Sequence, residues 1–263
     1  MRKSGLNHMR KNIAASVSNL TVKYNDDLIL DNISFSVAQN EIFVILGGSG
    51  SGKSTLLRHM VGLENPLSGQ VFIDDINITE CAEKQFYMAL NKIGVLFQSS
   101  ALISSMTVGE NVALPIAEFT NFSKKSIEKM VHVKLSLVGL ENYENYLPSE
   151  ISGGMKKRAG LARALALNPA ILFLDEPSAG LDPVTAAEID ELILDINKKL
   201  GTTIIIVTHE LASIFAVAKR VIMLDKSTKS IIAEGTPDEL KNNCDNPYVC
   251  KFFNRQSNST IST

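Results

Sequence analysis

"IFVILGGSGSGKSTLLRHMVGL" occupies residues 42–63. Its first five residues are apolar and do not alternate with polar ones. Such a run reads as a strand buried on both faces, the habit of parallel sheets. The glycine-rich stretch that follows, "GGSGSGKST" (47–55), matches G-x-x-x-x-G-K-[ST], with Gly47, Gly52, Lys53 and Ser54 at the fixed positions. A helical stretch, "TLLRHMVGL", comes next. A flexible Gly/Ser loop would have the same composition, but it has no reason to follow a buried strand and open a helix. Strand, loop and helix together are the context the motif requires, and they predict a phosphate site. Backbone N–H groups of Gly48, Ser49, Gly50, Ser51 and Gly52 would wrap the anion at the positive end of a helix. Lys53 reaches the β and γ oxygens, the Ser54 hydroxyl binds Mg2+, and Thr55 completes the segment.

Further apolar runs end in polar groups. "ILFLDEP" (171–177) is a second buried strand, closed by two carboxylates. Asp175 at its C-terminal edge is placed to hold Mg2+ through water. Glu176, one residue on, is placed to polarise an attacking water. Alone, the pair would read as an acidic strand-to-loop cap. Beside a phosphate loop it reads as part of the same site. "TTIIIVTHE" (202–210) ends at the same sheet edge with His209, which points to a γ-phosphate contact rather than a solvated histidine. Gln98, in "VLFQSSALISSMTVGENV" (95–112), follows another strand; taken alone it reads as an ordinary loop glutamine, and beside the other motifs as a contact to Mg2+ or the attacking water. "PSEISGGMKKRAG" (148–160) is a helix start with Ser152 as N-cap and two glycines directly after it. Each glycine costs roughly 1 kcal/mol against alanine. Gly153 and Gly154 make sense as bare N–H groups aimed at an anion.

The chain has 263 residues, 45% of them apolar, and a net charge of −2. This suits one large α/β unit or a core with a subdomain, and argues against nucleic-acid binding driven by charge. Cys81, Cys244 and Cys250 have neither metal-ligand spacing nor the look of a disulfide framework, so thiols in a reducing compartment are expected. The N-terminus carries cations but no apolar h-region, so no signal peptide is expected. The longest apolar runs are about five residues, far below the ~20 of a membrane span; a soluble protein held at a membrane only by a partner is expected. Residues 13–41 alternate in part, which suggests antiparallel strands on one flank. Residues 99–150 contain no convincing strand, and Ile127, Met130, Val131, Val133 and Leu137 lie at roughly helical spacing. The core resumes at 160–236. Residues 237–263 form a C-terminal extension whose end, "NRQSNSTIST", is expected to be disordered.

In this order the motifs resemble those of the ABC-transporter ATPase family. They are the phosphate loop (47–54), Gln98, the signature "ISGGM" (151–155), the strand ending in Asp175 with Glu176 after it, the D-loop "SAGLD" (178–182) and His209. The resemblance covers about residues 13–236. It implies a P-loop NTPase (RecA-like) α/β fold: a core of 13–98 and 160–236, an antiparallel β flank and an inserted α-helical subdomain, 99–159. It implies ATP and Mg2+ as cofactors, with Ser54, Gln98 and Asp175 at the metal and Glu176, His209 and Gln98 in hydrolysis. Tyr24, after an alternating strand, would stack on the adenine. In that family the signature of one subunit closes over ATP held by another. Ser152, Gly153 and Gly154, with Asp182 of the D-loop, are therefore the further nucleotide-binding residues of a head-to-tail homodimer.

The commonest signature is L-S-G-G-Q. Here Met155 replaces a hydrogen-bonding glutamine, and Ile151 replaces leucine. "ISGGM" with the following "KKRAGLARALALNPAILFLDEP", together with "LFQSSALISSMTVGENVALPI", looks like the branch that powers Mla-type phospholipid transport with MCE-domain substrate-binding proteins. That resemblance implies two membrane permease subunits, often a STAS-domain protein on the helical region, and a peripheral place on the cytoplasmic face of the inner membrane. Leu102, Ile103 and Met106 are the expected docking surface. Phe252 and Phe253 are the expected anchors of the extension on the opposite ATPase. Two alternatives stand beside this reading. One is another cargo, such as an amino acid or an export substrate. The other is a soluble ABC ATPase acting on DNA or ribosomes, against which the single cassette and the lack of basic charge speak.

Overall fold

In the computed structural model, which describes residues 12–255, the strand before the glycine loop is β3 (Ile42–Gly47), and all of its residues are buried. It is buried twice over. Phe43 and Ile45 enter one apolar core, while Ile42, Val44 and Leu46 enter another on the opposite face. β3 pairs in parallel with β8 (Thr203–Thr208) and β9 (Arg220–Leu224). β8 pairs with β7 (Ile171–Asp175), and β7 with β6 (Ile93–Leu96). β10 (Ile231–Gly235) adds antiparallel to β9, giving the order β10-β9-β3-β8-β7-β6. The register sets Leu46 beside Thr208 and Asp175 beside Val207. The glycine loop, Asp175–Glu176 and His209 thus leave one sheet edge together, the carboxyl edge where open α/β sheets bind ligands.

A second sheet covers one core. β1 (Ile13–Tyr24) and β2 (Asp27–Ala38) pair antiparallel, with Val17 opposite Phe35. Their alternation sends Val17, Leu20, Val22, Leu30, Ile33 and Val37 inward. β4 (Ser68–Ile73) and β5 (Ile76–Asn77) extend this sheet to β2-β1-β4-β5. The sequence reading assigned only the first two strands to the flank. The others are short, and a turn with Asp74 at φ 50° separates them.

The helices are α1 (Lys53–Met60), α2 (Glu83–Leu90), α3 (Val108–Phe119), α4 (Lys124–Leu137), α5 (Gly153–Ala164), α6 (Pro183–Leu200), α7 (Leu211–Val217), α8 (Pro237–Asn242) and α9 (Pro247–Phe253). Between β6 and β7 the described chain is helical, with no strand. α3 opens on a capping box of Thr107 and Glu110. Its buried Asn111 accepts from Ile103 N at 2.8 Å and donates to the carbonyls of Ile103, Met106 and Thr107. The segment after Gln98 is thereby fastened to α3. On α4, Val131 is buried, and Ile127, Met130 and Leu137 pack against the core. Val133 departs from the expected face and is 62% exposed. Lys134 is buried in its place, bonded to Asn168 Oδ1 at 2.5 Å; the true face follows 127, 131 and 134 rather than apolarity alone.

Two expectations need correcting. Cys244 and Cys250 are joined as a disulfide, because the turn from α8 into α9 brings their Cα atoms to 5.5 Å; only Cys81 is free. Phe252 and Phe253 do not reach away from the chain. α9, capped by Asn246, folds back so that Phe253 is buried and meets Phe215 of α7 edge-on at 6.0 Å. Phe252 packs against the same core. The cationic N-terminus before Asn12 and the tail from residue 256, part of the stretch expected to be disordered, lie outside the described residues.

β6 and α5 touch through glycine. A Cβ on Gly94 would lie 2.1 Å from the Ala164 carbonyl oxygen, a backbone atom that cannot swing aside. Gly94→Ala is therefore expected to destabilise the fold by about 2–3 kcal/mol, the upper range for overpacking. At roughly 2–4 °C per kcal/mol for a chain of this size, thermal unfolding should show Tm lowered by about 5–10 °C. A shift under 2 °C would mean that α5 slides freely over β6.

Candidate functional site

The glycine loop turns through two left-handed positions, Gly50 at φ 75° and Gly52 at φ 93°. Any side chain is strained there, and a Cβ on Gly52 would also press on Leu30 at 2.7 Å. No side chain caps α1, so its first N–H groups point at the loop's hollow. Inside the loop the Lys53 ammonium donates to Gly47 O at 2.8 Å and Gly48 O at 3.1 Å. Burial lowers its pKa, and the charges of Glu176 and Asp175 oppose that shift. The Ser51 hydroxyl is buried without a hydrogen-bond partner among the described residues. Such an orphan is costly unless a ligand satisfies it.

Opposite the loop, Asp175 closes β7. Ser54 Oγ donates to its Oδ1 at 3.4 Å. Burial pushes the Asp175 carboxyl above its usual range, and neighbouring Glu176 adds to the shift. A hydroxyl beside a carboxyl that burial and Glu176 make costly to ionise is a place where a hard cation would offset the charge. Mg2+ takes few protein oxygens and leaves its other positions to phosphate and water, so the donor set fits that ion.

Glu176 is buried and left-handed at φ 49°, a conformation that costs about 1–3 kcal/mol for a side-chain-bearing residue. His209 Nδ1 lies 2.7 Å from Oε1, and Thr208 Oγ1 donates to Oε2 at 3.2 Å. The carboxylate is thus aimed by two groups from the end of β8. Next to it, Ser178 Oγ donates to Glu210 Oε2 at 2.9 Å, which ties the D-loop to the same edge.

The other expected residues fall in two groups. Gln98 is exposed just beyond β6, and its backbone carbonyl accepts from Lys157 Nζ at 2.6 Å. Tyr24 ends β1 with its ring 40% exposed. Its hydroxyl bonds Glu64 and lies against Thr55 and Arg58 of α1. Ser49 and Gly50 form the exposed crest of the loop, with Thr55 half-buried behind them. Tyr24 and Thr55 thus lie beside the phosphate loop, while Gln98 is linked to the Glu176 turn through Lys157, which also donates to Glu176 O at 2.8 Å. The signature does not join them within this chain. Ser152 Oγ accepts from Met155 N at 3.2 Å, and Gly153 sits by Leu181 of the D-loop. A Cβ on Gly154 would strike Thr185 at 2.5 Å, so this glycine is also required by α6. Asp182 caps α6 by accepting from Val184 N and Thr185 N, each at 3.1 Å; the Thr185 hydroxyl, donating to Oδ2 at 2.5 Å, and these backbone bonds hold its carboxyl below the usual range. Met155 packs against the core of the helical region, an apolar role that a glutamine amide would fill poorly.

Three residues at the site were not anticipated. Thr208 adjoins His209 in "VTHE" and was passed over for it. Lys157 has no role in the sequence reading, although Gly154, Lys157 and Leu161 recur at helical spacing on a buried face. Tyr248 of α9 brings its hydroxyl to 2.9 Å from where a Cβ on Gly48 would stand; no local signal in the sequence links the two.

A family model described as ABC transporter matches residues 30–179. The chain is 41% identical over 250 residues to the "Probable ribonucleotide transport ATP-binding protein mkl" of Mycobacterium leprae, across 95% of this chain and 71% of that one. It is 42% identical over 225 residues to the "Methionine import ATP-binding protein MetN" of Carboxydothermus hydrogenoformans, across 86% of this chain and 66% of that one. Thus it spans slightly less than two thirds of the methionine-import relative. Among solved structures, the dimeric cassette MJ0796 is 32% identical with a TM-score of 0.77, over 84% of this chain and 98% of that one. The cassette cbiO1 of Clostridium perfringens, part of the complex cbiONQ, is 31% identical with a TM-score of 0.79, over 88% and 91%.

Proposed function

This chain belongs to the ABC transporter family as an ATP-hydrolysing cassette, and from that premise we propose that its transporter moves phospholipid or a related lipid between bacterial membranes. The observation that supports the cargo is the signature "ISGGM" and the sequence around it, which resemble the Mla-type, MCE-associated branch. Overall likeness does not sort cargo. Relatives named for ribonucleotide transport and for methionine import stand at nearly equal identity, 41% and 42%. Those two named cargoes are the competing readings.

Within the site, Lys53 and the loop N–H groups bind the phosphates, and Tyr24 stacks on the adenine. Ser54, Asp175 and Gln98 would hold Mg2+, which neutralises phosphate charge when bound. Glu176 takes the proton of the attacking water, and His209 orients that carboxylate before turning to the γ-phosphate. Ser152, Gly153 and Gly154, with Asp182, complete the site of a second copy in a head-to-tail homodimer. The separation of the signature from the glycine loop supports this arrangement, as does the dimeric form of the solved relative. The core at 13–98 and 160–236 carries the phosphate machinery, the helical 99–159 carries the signature, and 237–263 is an extension.

Among the described residues no helix is long and apolar enough to cross a membrane, so permease subunits would place the cassette on the cytoplasmic face of the inner membrane. Their docking site is the apolar groove of about 680 Å3 between β6 and α3, lined by Tyr87, Ile93, Phe97, Leu114 and Phe119 among others. Of the expected surface, Leu102 packs inward against the core, while Ile103 is 37% exposed and stays available. A STAS-domain protein on the helical region and an MCE-domain protein complete the assembly. The test is purification of the full complex from membranes, with mass spectrometry of co-purifying proteins and lipids. The expected result is a permease with an MCE-domain protein and enriched phospholipid. Recovery with an amino-acid or nucleotide permease would overturn the cargo assignment and leave the ATPase assignment standing.

A further inference from the structure

Lys157 has no part in the chemistry so far, yet it is buried, at 6% exposure. It lies on α5, little more than one turn beyond the signature glycines. Its ammonium is satisfied by two backbone carbonyls, Gln98 O at 2.6 Å and Glu176 O at 2.8 Å. Burying an ammonium is costly unless hydrogen bonds replace its hydration. Ordering the long side chain costs up to about 2 kcal/mol more. If this position served only to fill space, an apolar side chain would fill it without either cost.

The two carbonyls belong to segments distant in sequence, the turn after β6 and the turn after β7. Both need restraint. Glu176 sits left-handed at φ 49°, and such a backbone persists only where its surroundings over-determine it. Its N–H is fixed by Val207 O at 2.8 Å and its carbonyl by Lys157. The Gln98 turn is held by the same helix a second time, since Arg163 donates to Ser100 O at 2.8 Å and Ala101 O at 2.7 Å. One rigid element therefore carries the signature on its first turn and grips both the Gln98 turn and the backbone of Glu176.

We propose that Lys157 is a positioning residue, through which the signature helix sets the orientation of Glu176 and of the Gln98 turn. The inference rests on Glu176 being the catalytic base. Movement of α5, when its first turn meets the nucleotide of the other copy, passes through one ammonium to the glutamate of its own chain. Burial lowers the pKa of that ammonium, and the carboxylates of Asp175, Glu176 and Glu210 oppose the shift.

The test uses the full chain, with Lys157→Met and Lys157→Gln compared in steady-state ATP hydrolysis, Mg-ATP binding and amide exchange. For Lys157→Met, kcat is expected to fall about tenfold, with the nucleotide Kd changed less than twofold. Exchange should quicken together at 98–101 and 176–178, but not at 47–55. Lys157→Gln keeps a donor for one carbonyl and should recover part of kcat. A fall in kcat of less than threefold, or equal losses in kcat and binding, would overturn the proposal. If Lys157→Met does not fold, Lys157→Gln decides by exchange: faster exchange at 98–101 and 176–178 supports the proposal, and unchanged exchange at both overturns it. Glu176→Gln is measured in parallel. Normal turnover there would sink the base assignment, while the exchange pattern still reports whether Lys157 ties the two turns.

Discussion

Glu176→Gln should bind ATP with a Kd within about threefold of the unaltered chain and hydrolyse it 10²–10⁴ times more slowly, the usual range for removing a general base. The substitution is nearly isosteric. A glutamine can keep hydrogen bonds to Thr208 and His209, which hold the present carboxylate at 3.2 and 2.7 Å, so the left-handed backbone should survive. Only the ability to take a proton from water is lost. The change also removes a charge that helps push the Asp175 carboxyl up. Asp175 then ionises more readily, the cation site is strengthened, and ATP holds two copies together for longer. Size-exclusion chromatography with ATP should show a persistent dimer, alongside a phosphate-release assay near background. Turnover at the unaltered rate would shift the base to another group, with His209 first in line.

Most of the fold was legible because its signals are short-range. "IFVIL" and "IIIV" announce buried strands by composition, and "GGSGSGKS" fixes a loop between strand and helix by the conformations it demands. Asp175, Glu176 and His209 followed from one inference, that such strands lie in one sheet with a shared edge. The signals that were missed depend on contact between distant segments. Nothing near Lys157 says that its ammonium will meet carbonyls of residues 98 and 176. Nothing near Tyr248 says that it will stand over Gly48. The disulfide of Cys244 and Cys250 depends on how α8 turns into α9. Val133 and Lys134 show the complementary failure. Polarity assigns the wrong one to the core, because a buried lysine becomes tolerable once Asn168 is within reach. Gly154 was assigned to an anion by elimination, while its approach to Thr185 supplies a reason that only packing reveals.

Lys53→Ala should lose nucleotide binding, with Kd raised at least about a hundredfold. The ammonium is the only cation inside the described loop, and each charge-assisted hydrogen bond it makes is worth about 1.5–3 kcal/mol. Losing two such bonds to phosphate, about 3–6 kcal/mol, gives about 10²–10⁴ in affinity. Its present bonds to Gly47 O and Gly48 O add a second effect: without them the loop loses its internal anchor and must be ordered by the ligand itself. Lys53→Arg should not rescue binding, because the planar fork is bulkier than a compact ammonium. The loss of charge also leaves a signature in stability. Lys53 now holds the Asp175 carboxyl down against burial and Glu176. In its absence the folded pKa of Asp175 rises further above the unfolded value. A carboxyl with a raised folded pKa binds its proton better when folded, so stability falls as pH rises through that range. The deficit in Tm of Lys53→Ala should therefore be larger at neutral pH than at a pH near the ordinary carboxylate value of about 3.9. Calorimetry with Mg-ATP measures the first effect, and thermal unfolding at the two pH values the second. Binding within tenfold of the unaltered chain would remove Lys53 from the phosphate site. A Tm deficit that grew toward acid pH would mean that Lys53 does not stabilise the ionised form of Asp175.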